Sequence, residues 1–337
     1  MNPPVVSIVI PAFNRVPPLR LTLQSAGQAA AHIPSEILLV DDGSTPALVE
    51  VLGDCISFPV THLRQENQGS MAARDTGLRA ARGDYVLFLD SDDLIHPEKL
   101  HRQVDAMRRA DADISFSDMA RYEVDQAGRL GFSTETRVHE TSAPVDFFLR
   151  VQPAPHNPIY RRDYLLRHLS TPLVPLHRVY DPVGDVWLYF NLLLSTPRII
   201  KVDAPLTAIG RHEEARFTNH WEKLGLASLR LMEDFLATCP QTAATEAART
   251  AVGECAFVSW RRLPKDFDAR FDSRLLAAWK RCPRGPLARL GEKNFVRLAR
   301  LIGPESAARL LRKFRGHSYA SCRTLSDAEG AVLFADL

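Results

Sequence analysis

Five short apolar runs, separated by stretches of helix-forming residues, organise the first part of the chain. They are Val5-Val6-Ser7-Ile8-Val9-Ile10, Glu36-Ile37-Leu38-Leu39-Val40, Pro59 to Leu63, Asp84-Tyr85-Val86-Leu87-Phe88-Leu89 and Asp113-Ile114-Ser115-Phe116. Most are continuous rather than alternating, which marks strands buried on both faces, as in a parallel sheet. Leu19 to Ala30 follows Pro17-Pro18, Ser70 to Ala81 is closed by Gly83, and Pro97 opens a run to Arg109; all three predict helices. Strand–helix alternation of this kind requires crossover connections. The expected class is therefore α/β: a Rossmann-like, mostly parallel sheet flanked by helices.

Beyond residue 118 the pattern loosens. The middle segment carries Pro153, Pro155, Pro158, Pro172, Pro175, Pro182, Pro197 and Pro205, and reads as an irregular, substrate-facing half. From about 223 to 315 the chain is helical, with breaks near Pro264, Pro283 to Pro286 and Gly303-Pro304. The expected divisions are 1–115, 116–222 and a mainly helical C-terminal extension, 223–337. A net charge of +2 excludes a nucleic-acid polycation. The five cysteines have neither zinc-ligand nor redox spacing and fit a reducing cytoplasm. No signal peptide is expected at the N-terminus, and no apolar run is long enough to span a bilayer. Any membrane role would be peripheral, at the inner face.

In open α/β sheets, ligands bind beyond the carboxyl ends of the strands. Those ends carry Pro11-Ala12-Phe13-Asn14, Asp41-Asp42-Gly43-Ser44 and Asp90-Ser91-Asp92-Asp93. Two acidic clusters on one sheet edge repel each other, so a cation or a hydrogen-bonding ligand is implied. Asp90-x-Asp92 suits Mg²⁺ or Mn²⁺, whose remaining ligands would be diphosphate and water oxygens. The alternative is an acidic turn that caps the helix opening near Pro97.

Four ordered motifs sharpen this. They are Ser7 to Asn14, Val40 to Thr45, Asn67-Gln68-Gly69 with Ala73-Arg74-Asp75-x-Gly77, and Gly83-Asp84-Tyr85 to Asp93. Over residues 5 to about 100 the chain resembles glycosyltransferase family 2. The resemblance implies a GT-A fold, a nucleotide-sugar donor such as a UDP-sugar, a divalent metal (Mn²⁺ or Mg²⁺) and inversion at the anomeric carbon. It places Pro11, Ala12 and Phe13 around the nucleoside and Asp42 on the base. Arg74 would lie beside base and pyrophosphate, Asp90 near ribose and metal, and Asp92 would be the main metal ligand. Asp75 departs from the family, which has Asn there.

An inverting transfer also needs a base for the acceptor hydroxyl. Val183-Gly184-Asp185-Val186-Trp187-Leu188 resembles the family's base segment and points to Asp185, with Asp181 as competitor and helix capping as the structural alternative. His156 and Asn157 are weaker candidates for a donor or acceptor pocket. Arg211 and His212 are candidates for closing on phosphate, His212 also as a metal ligand alongside Asp90.

The chain has no Gly-x-x-x-x-Gly-Lys-Ser/Thr loop, no Gly-x-Gly-x-x-Gly after the first strand and no Gly-x-Ser-x-Gly elbow. The competing readings are a nucleotidyltransferase, disfavoured by the Pro11–Asn14 loop, and a non-catalytic sugar-nucleotide binder. Expected partners are the donor and an acceptor glycan or lipid-linked saccharide; a homodimer stays open. From Arg284 to Arg315 the chain is rich in Arg and Lys with apolar residues at helical spacing. This reads as basic amphipathic helices that either pack as a lid or touch an anionic membrane.

Overall fold

The computed structural model describes residues 3–53, 58–125, 130–210, 220–314, 317–333 and 335. The chain divides into two compact units, Met1–Glu214 and Ala215–Leu337.

In the first unit, strand β1 (Val6–Ala12) is buried along its whole length. Its alternate side chains reach opposite faces of the sheet. Val6, Ile8 and Ile10 pack with Leu19, Leu23 and Ala26 of helix α1 (Val16–Ala30), and with Val104 and Met107 of α4 (Lys99–Ala110). On the other face, Val9 lies under Gly77 of α3 (Ser70–Ala80). Pro17 and Pro18 occupy the first turn of α1, where their missing N–H groups cost nothing.

β2 (Ser35–Asp41), then the short α2 (Leu48–Leu52) and β3 (Thr61–Arg64), extend the sheet to one side. β4 (Tyr85–Phe88) extends it to the other, and the order β3-β2-β1-β4 is parallel throughout. The remaining strands are β5 (Leu94–Ile95), β6 (Ile114–Val124), β7 (Leu130–Thr136), β8 (Ile159–Arg161) and β9 (Ile199–Ala208). β8 sits antiparallel between β4 and β6, β9 runs parallel to β6, and β5 and β7 are antiparallel additions. The single turn α5 (Pro144–Asp146) precedes β8, and α6 (Arg162–Leu169) and α7 (Gly184–Leu192) follow it.

The second unit is helical: α8 (Trp221–Thr238), α9 (Glu246–Arg262), α10 (Ala269–Lys280), α11 (Lys293–Ile302), α12 (Pro304–Phe314), α13 (Tyr319–Cys322) and α14 (Asp327–Leu333). Phe257, Trp260, Phe271 and Trp279 are buried in it. Pro264 stops α9, and the Asp268 carboxylate starts α10 by accepting from the Arg270 and Phe271 N–H groups at 2.8 and 3.3 Å. Gly303, at φ +81°, separates α11 from α12. No described helix is long and apolar enough to cross a membrane.

Candidate functional site

The chain passes from β1 to β2 on one side and later to β4 on the other. The strand order therefore reverses beside β1, and a crevice opens at the carboxyl ends of β1 and β4. Pro11 and Ala12 are buried in β1, whereas Phe13, just beyond it, is 47% exposed. Backbone and side-chain bonds stitch the β1 and β2 ends together. Asp42 N–H donates to Ala12 O at 2.9 Å, and Asn14 N–H donates to Ser44 Oγ at 2.9 Å. Asp41 accepts from the Ser44 and Leu48 N–H groups at 2.8 and 3.0 Å and from Arg64 at 2.7 Å. Burial pushes its carboxyl up, but the bonds from Ser44 and Leu48 and the Arg64 charge carry it below the usual range.

Asp42 organises the next loop. Its Oδ1 accepts from Gln65 Nε2 at 2.7 Å and Gln68 N–H at 3.0 Å, and its Oδ2 from Gly69 N–H at 2.9 Å. Of the roughly four acceptor positions on a carboxylate, these bonds leave about one on Oδ2. Gly69 is held at φ +95°, and a Cβ there would lie 2.3 Å from the Asp181 carboxylate. Glycine is thus required both by conformation and by the close approach of Asp181. Burial raises the Asp181 carboxyl, and Asp42 adds to the rise against the opposing Arg178.

The turn after β4 holds three carboxylates, each with its own basic partner. Asp90 pairs with Arg74. Asp92 Oδ2 lies 2.7 Å from Arg15 Nη1. Asp93 Oδ2 lies 2.6 Å from His156 Nδ1, and its Oδ1 accepts from Gly210 N–H at 2.8 Å. The end of β9 is pressed so tightly on this turn that a Cβ on Gly210 would fall 1.5 Å from the Asp92 carbonyl oxygen. Asp90, Asp93 and His156 each offer one ligand atom, all within 4.8 Å of one another. Among the described residues neither buried ring nitrogen of His156 makes a hydrogen bond, and Nδ1 meets Asp93 only as a close charged contact.

Arg74, buried on α3, links this turn to α7. It pairs with Asp90, and the charges of both Asp90 and Asp185 raise its affinity for the proton. Burial raises the Asp90 carboxyl, but Arg74, His156 and Arg15 together take it below the usual range. Asp185 goes the other way: burial lifts its carboxyl, Arg74 pulls it back, and Asp90 adds to the rise. Asp185 is the second residue of α7, and the N-cap position belongs to Val183, which makes no side-chain cap bond.

The structure thus brings Arg74, Asp90, Asp92, Asp185 and His156 around one sheet edge, with Asp42 on the adjoining loop. Asn157 is buried scaffold. Its amide bonds the Ser117 backbone in both directions, at 2.8 and 2.9 Å, and its carbonyl accepts from the buried Lys99 at 2.6 Å. Arg211 and His212 lie outside the described residues. Sequence reading missed Arg15 and the Asp93–His156 pair; the Arg15–Asp92 contact spans 77 positions and leaves no local signal.

A family model for glycosyl transferase family 2 matches residues 7–168. An uncharacterized glycosyltransferase of Haemophilus influenzae is 39% identical over 111 residues, 32% of this chain and 44% of that protein. The putative glycosyltransferase EpsH of Bacillus subtilis is 27% identical over 246 residues, 69% of this chain and 68% of that protein. The chain thus spans less than half the length of the first of these relatives. Among solved structures, S. aureus TarS 1–349 in complex with UDP-GlcNAc matches with a TM-score of 0.58 at 17% identity, over 91% of this chain and 90% of that one. With the strand order, the Asp90–Asp93 turn and these matches together, residues 7–168 form a glycosyl transferase family 2 domain and the chain has the GT-A fold.

Proposed function

We propose that the chain transfers a sugar from a nucleotide diphosphate sugar, a UDP-sugar in the first instance, to a hydroxyl of a glycan or lipid-linked saccharide in cell-envelope polysaccharide synthesis. The observation that carries this is the Arg74 hub. It couples Asp90 of the acidic turn, which holds its proton weakly, to Asp185, a carboxylate that holds its proton strongly. Two carboxylates whose environments drive their proton affinities apart suit division of labour between binding and base chemistry. The UDP-GlcNAc bound to TarS supports the donor class.

The donor set at the turn fits a hard divalent cation. The Asp90 and Asp92 side chains are 29% and 15% exposed, so a phosphate can reach them. Asp93 and His156 are buried and already engaged with each other. Asp92 with Asp90 would therefore hold Mn²⁺ or Mg²⁺, and Asp93 with His156 would fix the turn. Bound there, the ion neutralises charge on the leaving diphosphate.

Phe13 and the β1 end would line the nucleoside, and the open position on Asp42 would accept from the base. Asp185 would take the acceptor hydroxyl proton. The acceptor oxygen then forms its bond to the anomeric carbon from the face opposite the leaving group. The carbon–oxygen bond to the diphosphate breaks, and its electron pair leaves with the nucleoside diphosphate. Arg74 would remain ion-paired to the turn and hold Asp185 in place.

Peripheral contact with an anionic membrane at the inner face belongs to the same proposal. α11 and α12 bury Phe295, Ala299, Ala307 and Ala308, while Leu301 and Phe314 stay 82% and 76% exposed among basic residues. The test of function is a panel of nucleotide sugars, read as melting-temperature shift and donor hydrolysis with and without EDTA. A shift and turnover with one nucleotide class, both abolished by EDTA, are expected. Metal-independent turnover would remove the cation, and binding without turnover would make the chain a sugar-nucleotide binder.

A further inference from the structure

The C-terminal unit contains a cleft of about 650 Å³ that the transfer reaction does not use. Its volume falls within the roughly 300–1,000 Å³ of small-molecule sites. The wall is largely apolar: Trp221, Leu224 and Met232 from α8, Leu263 after α9, and Phe271 and Leu275 from α10. Four lining side chains are basic or imidazole, namely Arg262, Lys265, Arg312 and His317, and none is a carboxylate.

The pairing of these cations is uneven. Arg312 is matched by Asp272. Elsewhere in the unit Arg270 pairs with Asp268 at 2.8 Å and Arg309 with Glu305 at 2.9 Å. Arg262 and Lys265 form no ion pair among the described residues; Arg262 is exposed and Lys265 half-buried, so both are open to a ligand from solvent.

A second observation concerns the wall itself. Gly225 lies inside the 18-residue helix α8. Glycine weakens a helix interior relative to alanine. Here a Cβ would meet only the Phe271 Cζ, at 3.4 Å, an ordinary contact. Local stability therefore favours a side chain at 225, and space allows one. Gly225, with Ser228 one turn on and Ser259 on α9, instead leaves the cleft open. An open apolar slot lined by two cations without an ion pair among the described residues, and by no acid, is complementary to one chemical class.

We infer that this cleft binds an amphiphile with a single long aliphatic chain and an anionic head, a carboxylate or a phosphate monoester. The chain lies between α8 and α10, and the head sits at Arg262 and Lys265. The molecule comes either from solution, as a fatty anion, or from an anionic bilayer.

The cleft carries its own reporter, because Trp221 lines it and its indole N–H is already satisfied by the Cys322 carbonyl at 2.8 Å. The full chain is titrated with 16-bromohexadecanoate below its micelle concentration, and separately with vesicles of uncharged phospholipid that carry the same brominated fatty anion. Bromine quenches tryptophan only at contact. Saturable quenching is expected and should vanish in Trp221→Phe. It should weaken by about 10-fold or more in Gly225→Leu and in Ser228→Leu, each of which fills the slot, and in Arg262→Gln/Lys265→Gln. Hexadecyl phosphate should compete and uncharged hexadecanol should not. Quenching by the free anion, by vesicles, or by both identifies the source. If quenching appears only above the micelle concentration, persists in Trp221→Phe, or is equal in the folded filled-slot variants, the inference is wrong. Circular dichroism and melting temperature establish folding of each variant, and the two slot-filling substitutions are independent of each other. None of these readouts depends on sugar transfer, so the cleft can fail while the transfer proposal stands, and the reverse.

Discussion

Asp185→Asn keeps the shape of the side chain and removes both its charge and its basicity, and its two consequences have opposite signs. If Asp185 takes the acceptor proton, turnover should fall by ~10²–10⁴-fold. At about 1.36 kcal/mol per decade this is ~2.7–5.4 kcal/mol on the barrier. Stability should move the other way. Burial and the neighbouring Asp90 hold the Asp185 carboxyl above its ordinary value despite Arg74, so the folded chain binds this proton more tightly than the unfolded chain does. The contribution of such a group to stability is fully present below the unfolded pKa and is lost as pH rises through the folded pKa. At neutral pH the ionised form is the one the fold disfavours, and asparagine removes that cost. Each ~1 kcal/mol recovered would appear as about 2–4 °C in the melting temperature of a unit of this size. The assay is transfer rate and melting temperature in the same buffers, from acid to neutral. Parental turnover should fall as pH drops through the raised pKa of Asp185, and the melting temperatures of parent and variant should converge in acid. Normal turnover in the variant would pass the base role to Asp181, and a lower melting temperature at neutral pH would refute the electrostatic account.

Asp92→Ala should abolish transfer and the metal-dependent melting shift with donor; transfer at the parental rate would move the metal elsewhere. Asp42→Ala should weaken UDP by ~1–3 kcal/mol in calorimetry, since a donor on the base would lose its acceptor, and unchanged affinity would take Asp42 out of the nucleotide site. Gly69→Ala forces a side chain at φ +95° into the Asp181 carboxylate, and should cost ~1–3 kcal/mol of stability together with donor affinity; a neutral result would mean the loop relaxes freely. Cosedimentation with anionic vesicles should show salt-sensitive binding lost on truncation after Pro283, because each Lys or Arg near such a surface contributes about 1 kcal/mol; no binding at low salt would favour a soluble acceptor.

The most plainly legible strands are those buried on both faces, although β3, expected over Pro59 to Leu63, is mostly exposed. β1, β2 and β4 carry unbroken apolar runs because a helix-covered parallel sheet leaves no wet face. β5 and β8, two and three residues long, are too short to show any period. β6 was visible only at its start, since its outer residues Arg121 and Glu123 are exposed and pair with β7 rather than the core. The acidic turn was readable because its carboxylates are adjacent in sequence. Its basic partners were not, because Arg15 and His156 come from distant elements that meet the turn only in the folded sheet. The burial of His156 and the scaffold role of Asn157 were invisible for the same reason: both follow from β8 being inserted between β4 and β6.

The distribution of charge at the site follows from that insertion. Three carboxylates on one turn could not coexist unaided, and each is matched by a basic side chain from a different element: Arg15 after β1, Arg74 on α3, His156 before β8. The pairs differ in burial. His156 and Arg74 are held in the interior, so the Asp93 and Asp90 contacts are part of the fold. Arg15 is 25% exposed and Asp92 15%. A divalent ion arriving at Asp92 would compete with Arg15, and an Arg15 displaced from the carboxylate would be left beside the phosphates that accompany the ion. The exchange keeps the local charge balanced at each stage. It would also leave Asp185, whose proton affinity is raised, for proton transfer rather than for holding the donor. That separation of an exchangeable ion pair, a buried structural pair and a proton-holding carboxylate is why we propose group transfer rather than simple nucleotide binding.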